Sequence, residues 1–417
     1  MNFYGCDSAR VLHVSKAGND NNGGKAQQYP VNLANDSKLT IMAAVNAAAD
    51  GDTIIIWPGT YTEQLPLTQE PAKTLTFVGM NRAKTIITQS GANDTITGTC
   101  GIPYGKFFNL SITQTGTGRA VVVTAGLSSV IDFVNCDIIS SGAYAVSANG
   151  SERVSLKNCY LSAKADTILT SDMLVLDGCI VISDAGLAGI SDASCIYKYS
   201  TLYSGGPGKL FIKDSTLLCM PAYRKTGPKS PPLYEVTADI KCIRGPVESI
   251  ICIIENSILV ADGYKPSQTN ANSYCSGDAF CVELIDKLVV KNSVFFSRTD
   301  QNQSAADSYG LKNCNAQVNN CTFAVSGTDS SYCFDADSAR TVYLENTKYS
   351  PSQIGANVTV NAVPAGVTFE KAAKLLVNKA VQNKNTGAID YYDNDGQTIL
   401  FTHTPVDDES IITRTPS

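Results

Sequence analysis

The residues of this 417-residue chain best suited to chemistry are its carboxylates. Asp132, Asp137, Asp166, Asp172, Asp177 and Asp184 recur at intervals that could line one face of adjacent coils. Two such carboxylates are what glycoside hydrolysis requires, one as acid and one as base or nucleophile. Clustered carboxylates beside an Arg or Lys would suit calcium-assisted lyase chemistry. Asp is also a residue that turns favour, because its side chain hydrogen-bonds its own backbone, so structure alone accounts for the same set. Other catalytic types are scarce. His13 and His403 are the two histidines, and both lie near the chain ends, which leaves a Ser-His-Asp arrangement without a central base. The fourteen cysteines include no Cys-x-x-Cys pair, so a zinc-ribbon site is not expected. Asp393-Asn-Asp-Gly396 resembles half of a calcium loop, but no Glu stands at the twelfth position, and it reads as a hairpin turn. No metal and no cofactor are expected.

The elements that must carry these residues follow from a recurring hexapeptide. Leu156-Lys-Asn-Cys-Tyr-Leu161 shows the pattern: apolar, any residue, Asn or Asp, then Cys, Ser or Thr, any residue, apolar. The Asn or Asp recurs at 135, 158, 214, 256, 292, 320 and 346, with looser copies at Asn109 and Gly178, and successive anchors lie 20 to 42 residues apart. Such a period marks a solenoid, whose units bury their apolar faces only by stacking. Within each unit, short alternating apolar runs are separated by Gly, Ser, Asn and Asp, which is strand and turn chemistry. The fold class is therefore all-β, a right-handed parallel β-helix. Asn suits the corner because it tolerates a left-handed backbone and hydrogen-bonds its neighbours. Small Cys, Ser and Thr suit the crowded interior beside it, so Cys136, Cys159, Cys179 and Cys321 read as core residues. Cys275 and Cys281 flank a loop and are the best disulfide candidates.

Three regions are expected: a polar lead-in at 1–38, the β-helix at 39–360, and a tail at 361–417. Leu39–Ala49 reads as a short amphipathic helix capping the first coil, with Asp36 or Ser37 at its N-terminus. Strands are expected at Leu75–Val78, Thr85–Thr88, Phe107–Thr113 and Ala120–Thr124. Insertions at 225–234, 262–281 and 298–309 should project as loops, and Tyr223, Tyr234, Tyr264 and Tyr274 in and beside them are the candidate binding residues. In the tail, Phe369–Gln382 reads as an amphipathic helix, and Ala388–Tyr392 with Gln397–Thr402 as a β-hairpin. Charged residues are 17% of the chain and the net charge is −6, with no basic run, so a nucleic-acid partner is not expected. No run of eighteen apolar residues exists, so no membrane span is expected.

The helix at 39–49 followed by Gly51-Asp-Thr-Ile-Ile-Ile-Trp-Pro-Gly-Thr-Tyr-Thr-Glu63 resembles the opening of pectin methylesterases and related pectate-lyase-like proteins. The resemblance implies the fold. Trp57, the one tryptophan, reads as a strand residue packed under the cap, with sugar stacking as its functional alternative. It also allows a residue-by-residue comparison of the catalytic coil. Asn158-Cys159-Tyr160-Leu161 leads into Ala165-Asp166-Thr167-Ile168-Leu169 and Asp177-Gly178-Cys179, which places the family's acid/base at Asp166. Ala165 replaces the glutamine whose amide would stabilise an oxyanion. The nucleophile position falls on Gly186 or Leu187, and Asp184 reaches it only through a register shift. Arg244-Gly245-Pro246 lacks the Trp of the family's arginine segment. The resemblance therefore implies a catalytically silent relative; Asp166 and Asp184 are the catalytic candidates if chemistry survives.

The tail resembles C-terminal segments of phage virion proteins, which implies attachment or oligomerisation. The start of the chain lacks a signal peptide, which fits release inside a phage particle. The expected function is a non-enzymatic structural or adhesive virion component, with a secreted or cell-surface carbohydrate-active enzyme on an acidic polysaccharide as the alternative. Expected partners are further copies of the chain, a trimer among the options, other virion proteins and a surface glycan.

Overall fold

The computed structural model describes residues 10–26, 31–67, 73–98, 104–123, 130–148 except 143, 153–170, 173–184, 192–198, 208–220, 224–226, 233–236, 239–245, 250–262, 274–275, 278–299, 306–327, 330–362, 380–382, 389–392, 399–407 and 412–416. The predicted corner residues share one backbone state. Asn109, Asn135, Asn158, Asp214, Asn256, Asn292, Asn320 and Asn346 have φ between 45° and 56°, and Gly178 has 66°. This left-handed state costs most L-residues roughly 1–2 kcal/mol, and Asn and Gly least. Each such corner turns the chain sharply from one strand into the next.

Those corners join three parallel sheets. Sheet A has thirteen strands running from Val11–Val14 to Val358–Ala362, and sheets B and C have ten each, from Gly59–Thr62 to Thr322–Ser326 and from Leu65–Pro66 to Ser331–Asp335. One coil shows the path: Arg153–Lys157 in sheet A, the Asn158 corner, Tyr160–Ala163 in sheet B, then Ile168–Thr170 in sheet C. The architecture is a right-handed parallel β-helix. The apolar residue two places before each corner points inward and stacks in register. Phe77, Phe107 and Phe133 align across neighbouring strands with ring centroids 4.8 and 5.0 Å apart, and Leu156, Leu176, Ile212 and Ile254 continue the column. All seven are buried.

The corners also bond to one another. Asn135 Nδ2 donates to Asn109 Oδ1 at 2.8 Å, Asn256 to Asp214 at 3.0 Å, Asn292 to Asn256 at 3.1 Å and Asn320 to Asn292 at 2.8 Å. Gly178 interrupts the ladder because a Cβ there would lie 2.5 Å from Asn158 Oδ1. The small residue after each corner works inward. Ser215, Ser257 and Ser293 hydroxyls accept from the backbone N–H of the preceding coil's equivalent residue at 3.1, 3.2 and 3.1 Å.

Several expectations change in the structure. The capping helix is shorter, Ile41–Ala47, and Thr40 is its N-cap, with Oγ1 accepting from Ala43 N at 3.2 Å, in place of Asp36 or Ser37. Glu63 supports that end by accepting from Ile41 N and Met42 N, both at 3.0 Å. Helix and lead-in are not separate in kind: Val11–Val14 is a strand of sheet A and Leu33–Asp36 is a helical turn. The run Phe107–Thr113 divides into Tyr104–Phe108 and Ser111–Gln114 because Asn109 turns the corner. Cys281 is a buried free thiol whose Sγ donates to Leu259 O and Phe296 O, so it is core and not bonded to Cys275. Trp57 donates from Nε1 to His13 Nδ1 at 3.3 Å.

Contacts divide the chain into a unit of Met1–Tyr343 with Thr347–Val360 and a second of Leu344–Asn346 with Asn361–Ser417. The second unit carries an antiparallel sheet of four strands, Ala380–Gln382, Ile389–Tyr392, Ile399–Asp407 and Ile412–Pro416. It includes the expected hairpin. The expected helix at 369–382 ends instead in a strand at 380–382, and its remaining residues lie outside the described ones, as does the 393–396 turn. No helix among the described residues is long and apolar enough to cross a membrane.

Asn292 both donates to and accepts from its ladder neighbours. Asn292→Ala removes both bonds and puts a Cβ-bearing residue without a local acceptor at φ 50°. A loss of about 2 kcal/mol is expected in urea unfolding, with Asn292→Gly losing less because it meets the backbone angle.

Candidate functional site on the outer face of sheet C

Sheet C strands repeat a second hexapeptide that the corner pattern hides. Asp239-Ile-Lys-Cys-Ile-Arg244, Asp278-Ala-Phe-Cys-Val-Glu283 and Asp307-Ser-Tyr-Gly-Leu-Lys312 stand in register on successive coils, and Ser331-Tyr-Cys-Phe-Asp335 follows. Cys242 and Cys281 point inward, with Sγ on Leu217 O and Leu259 O of sheet B. By strand alternation the residue before each Cys faces outward. Lys241, Phe280, Tyr309 and Tyr332 thus form one outer column, and Arg244, Glu283, Lys312 and Asp335 a second.

The columns interlock. Phe280 and Tyr309 stack at 4.8 Å, and Tyr309 and Tyr332 at 5.7 Å. Lys241 lies 5.1 Å above Phe280 and faces Glu283 at 3.0 Å and Asp239 at 3.4 Å. Lys312 lies 4.6 Å above Tyr309 and faces Asp335 at 2.5 Å and Asp337 at 3.0 Å. Burial alone would lower the Lys312 ammonium, but its bonds to Asp335 and Asp337 outweigh that and hold it above the ordinary lysine range. Lys241 is 4% exposed, which a charge tolerates only with such partners.

Three aspartates run along the start of these strands. Asp278 N donates to Asp239 Oδ1 at 3.0 Å, and Asp307 N to Asp278 Oδ1 at 2.8 Å. Tyr309 OH donates to Asp307 Oδ2 at 2.8 Å, while Asp307 Oδ1 is buried without a hydrogen-bond partner. Burial, then the charges of Asp239 and Asp307, push Asp278 up to about 6, against the bond from Asp307 N that favours its carboxylate. Burial and the bond to Asp307 push the Tyr309 phenol up as well.

The residues expected from the sequence fall elsewhere. Asp166 lies on the same sheet C face, three coils N-terminal to Phe280, where it accepts from Ser194 N at 2.9 Å and from Ser194 Oγ. Tyr144 on the preceding coil has its phenol raised by burial and by the Asp166 charge, and Arg119, paired with Asp94 at 2.9 Å, lies beyond Tyr144 on the next coil. Asp184 ends a sheet B strand and is paired with Lys164. The two candidate carboxylates thus have different partners, Asp166 in the turn before a sheet C strand and Asp184 at the end of a sheet B strand. The wider carboxylate set does not line one face either. Asp132 and Asp177 are on sheet A, paired with Arg153 at 3.1 Å and Lys157 at 3.1 Å, and Asp137 is on sheet B with Arg82; Asp172 lies outside the described residues. Arg244 lies 5.1 Å above the Tyr197 ring. Ala165 is buried, and its carbonyl accepts from Ser183 Oγ.

Tyr234 and Tyr274 lie on a small sheet made by the insertions, in which Leu233–Val236 pairs antiparallel with Arg224–Thr226 and parallel with Tyr274–Cys275. Tyr223 and Tyr264 lie outside the described residues. Among the described residues no group of three or more His, Cys, Asp and Glu is placed to hold a metal ion.

Neither a family model nor a curated protein matches this chain. Solved structures similar to it include a pectin methylesterase from Erwinia chrysanthemi, at 14% identity and a TM-score of 0.41, covering 70% of this chain and 90% of that one. A pectin methylesterase from carrot is similar at 14% identity and a TM-score of 0.45, covering 87% of this chain and 90% of that one. A pectate lyase is similar at 14% identity and a TM-score of 0.46, covering 93% of this chain and 86% of that one. The fold assignment stands on the three sheets themselves, and no catalytic role is drawn from these likenesses.

The raised Asp278 has a sign that can be measured. The folded chain keeps this proton between about pH 4 and 6, where the unfolded chain has released it. Its stability contribution is therefore fully present below about pH 4 and is lost as pH rises through 6. Asp278→Asn should raise Tm relative to the native protein at pH 7, with the difference closing towards pH 4.

Proposed function

We propose that the chain is an adhesive, glycan-binding β-helix that holds its ligand on the outer face of sheet C. The observation that carries this reading is the three-coil polar array of Asp239, Lys241, Asp278, Glu283, Asp307 and Lys312, whose Asp307 Oδ1 is buried and unpartnered. Sugar hydroxyls both donate and accept. Solvent does not touch Asp307 Oδ1 as the side chains stand, so a sugar hydroxyl would reach it by displacing part of the cover, and would then satisfy an oxygen that is otherwise costly to leave bare. Six carboxylates, at 239, 278, 283, 307, 335 and 337, meet three cations, at 241, 244 and 312. That balance favours a neutral or amino-sugar glycan over a polyuronate. A role without catalysis is supported by the structural partners that engage Asp166 and Asp184, Ser194 and Lys164. A virion location, expected from the sequence, belongs to the same proposal.

One observation favours a second function. Asp278, pushed up to about 6, stands between two other aspartates at the strand spacing of about 4.8 Å, near the separation of retaining glycosidase carboxylates. In that case Asp278 would protonate a glycosidic oxygen and Asp239 or Asp307 would be the nucleophile.

Titration calorimetry against neutral, amino-sugar and uronate polysaccharides decides the ligand class. Binding of a neutral or amino glycan is expected, weakened about tenfold or more by Asp307→Ala, the loss of one hydrogen bond to a charged group. Reducing ends released at pH 5–6, and lost in Asp278→Asn, would make the protein a hydrolase instead. Binding confined to polyuronates would overturn the assigned ligand class.

A further inference from the structure

The outer face of sheet B differs from both other faces. Val181, Leu217, Leu259 and Phe295 point into the core and are fully buried. Strand alternation sends their neighbours outward, and these too are apolar. Ile180, Ile258 and Val294 stand in one column at 47, 45 and 41% exposure, with Thr216 between the first two. Two residues along each strand, Ile182, Leu218, Val260 and Phe296 form a half-buried second column. A third column holds Asp184, Met220, Asp262 and Arg298. The one like-patterned charged border is thus acidic at one end, where Asp184 meets Lys164, and carries a guanidinium at the other, where Arg298 meets Asp262 at 2.6 Å.

We propose that this face joins two copies of the chain, packed sheet B against sheet B with their coils in opposite order. The patch spans four strands of about five residues, roughly 19 by 16 Å, or about 300 Å² before side-chain relief is counted. That is less than half of the roughly 800 Å² that each partner brings to a standard interface, so the patch is the apolar centre and the remainder falls to a polar border, the usual anatomy of one. A two-fold axis parallel to the strands and between the coils of Thr216 and Ile258 sets like columns face to face. It places Ile180 opposite Val294 of the second copy and, in the third column, Asp184 opposite Arg298, once on each side. The opposite coil order is assigned by this charge match, since the two-fold that keeps coil order reverses the strands and would set Asp184 against the apolar Ile180. The inference is independent of the glycan proposal, which uses sheet C.

Light scattering of the full chain at micromolar concentration tests the pairing, and cross-linking tests its order. A mass twice that of the chain is expected, falling to the single mass in Ile258→Asp while the far-ultraviolet spectrum is kept. Ile180→Cys combined with Val294→Cys should give a covalent dimer on mild oxidation. Within one chain these positions are three strands, about 14 Å, apart and beyond disulfide reach. Ile180→Cys alone should give no cross-link. A monomeric native chain, a dimer indifferent to Ile258→Asp, or a cross-link from Ile180→Cys alone would each overturn the proposal. Should Ile258→Asp not fold, the cysteine pair still decides it.

Discussion

The left-handed corner is the constraint on which the rest of the molecule depends. A residue at φ near 50° swings the chain from sheet A into sheet B, and it must do so at the same place on every coil for strands to stay in register. Asn meets both needs, since it accepts the backbone angle at low cost and links to the corner above and below. Parallel strands leave no local hairpin to set register, so the corner bonds and the inward Phe and Leu columns do that work. The serine or cysteine next to the corner fixes the strand start from inside, by accepting from or packing against the preceding coil.

Once register is fixed, each sequence position becomes a column and each outer column is free to take its own chemistry. Sheet C carries aspartates, lysines and stacked aromatics. Sheet B carries branched aliphatic residues. The inner columns are alike on both, so the core does not dictate what either face binds. This separation explains how a chain can keep a fold while its outer residues hold a different, or no, reaction.

Legibility in the sequence followed the same division. The corners were legible because a left-handed turn restricts residue type to Asn, Asp and Gly, and that restriction repeats: Asn135, Asn158, Asp214, Asn256 and Asn292 all occupy the predicted state. The buried columns were legible because burial restricts polarity. The tail was less so. Residues 380–382 continue a helical pattern but pair with Ile389–Tyr392, a contact that no local periodicity announces. Cys281 was misjudged for a related reason. Its loop-flanking position suggested a bond, whereas the strand from 279 to 283 turns it inward.

The candidate face on sheet C was recorded in the sequence but not readable as a site. Asp239, Asp278 and Asp307 each open a hexapeptide with Cys or Gly fourth and a charge sixth, yet they are separated by 39 and 29 residues. Only coiling brings them to one strand spacing, where burial and mutual charge raise Asp278. The same coiling gives Asp166 and Asp184 different partners, Ser194 and Lys164, although they are close in sequence. The sequence by itself determined the repeat, the corner residues and the inward columns, because those obey local steric and burial rules. Tertiary structure alone decided which carboxylates meet, because distance across coils is set by register and insertion length, which no single repeat contains.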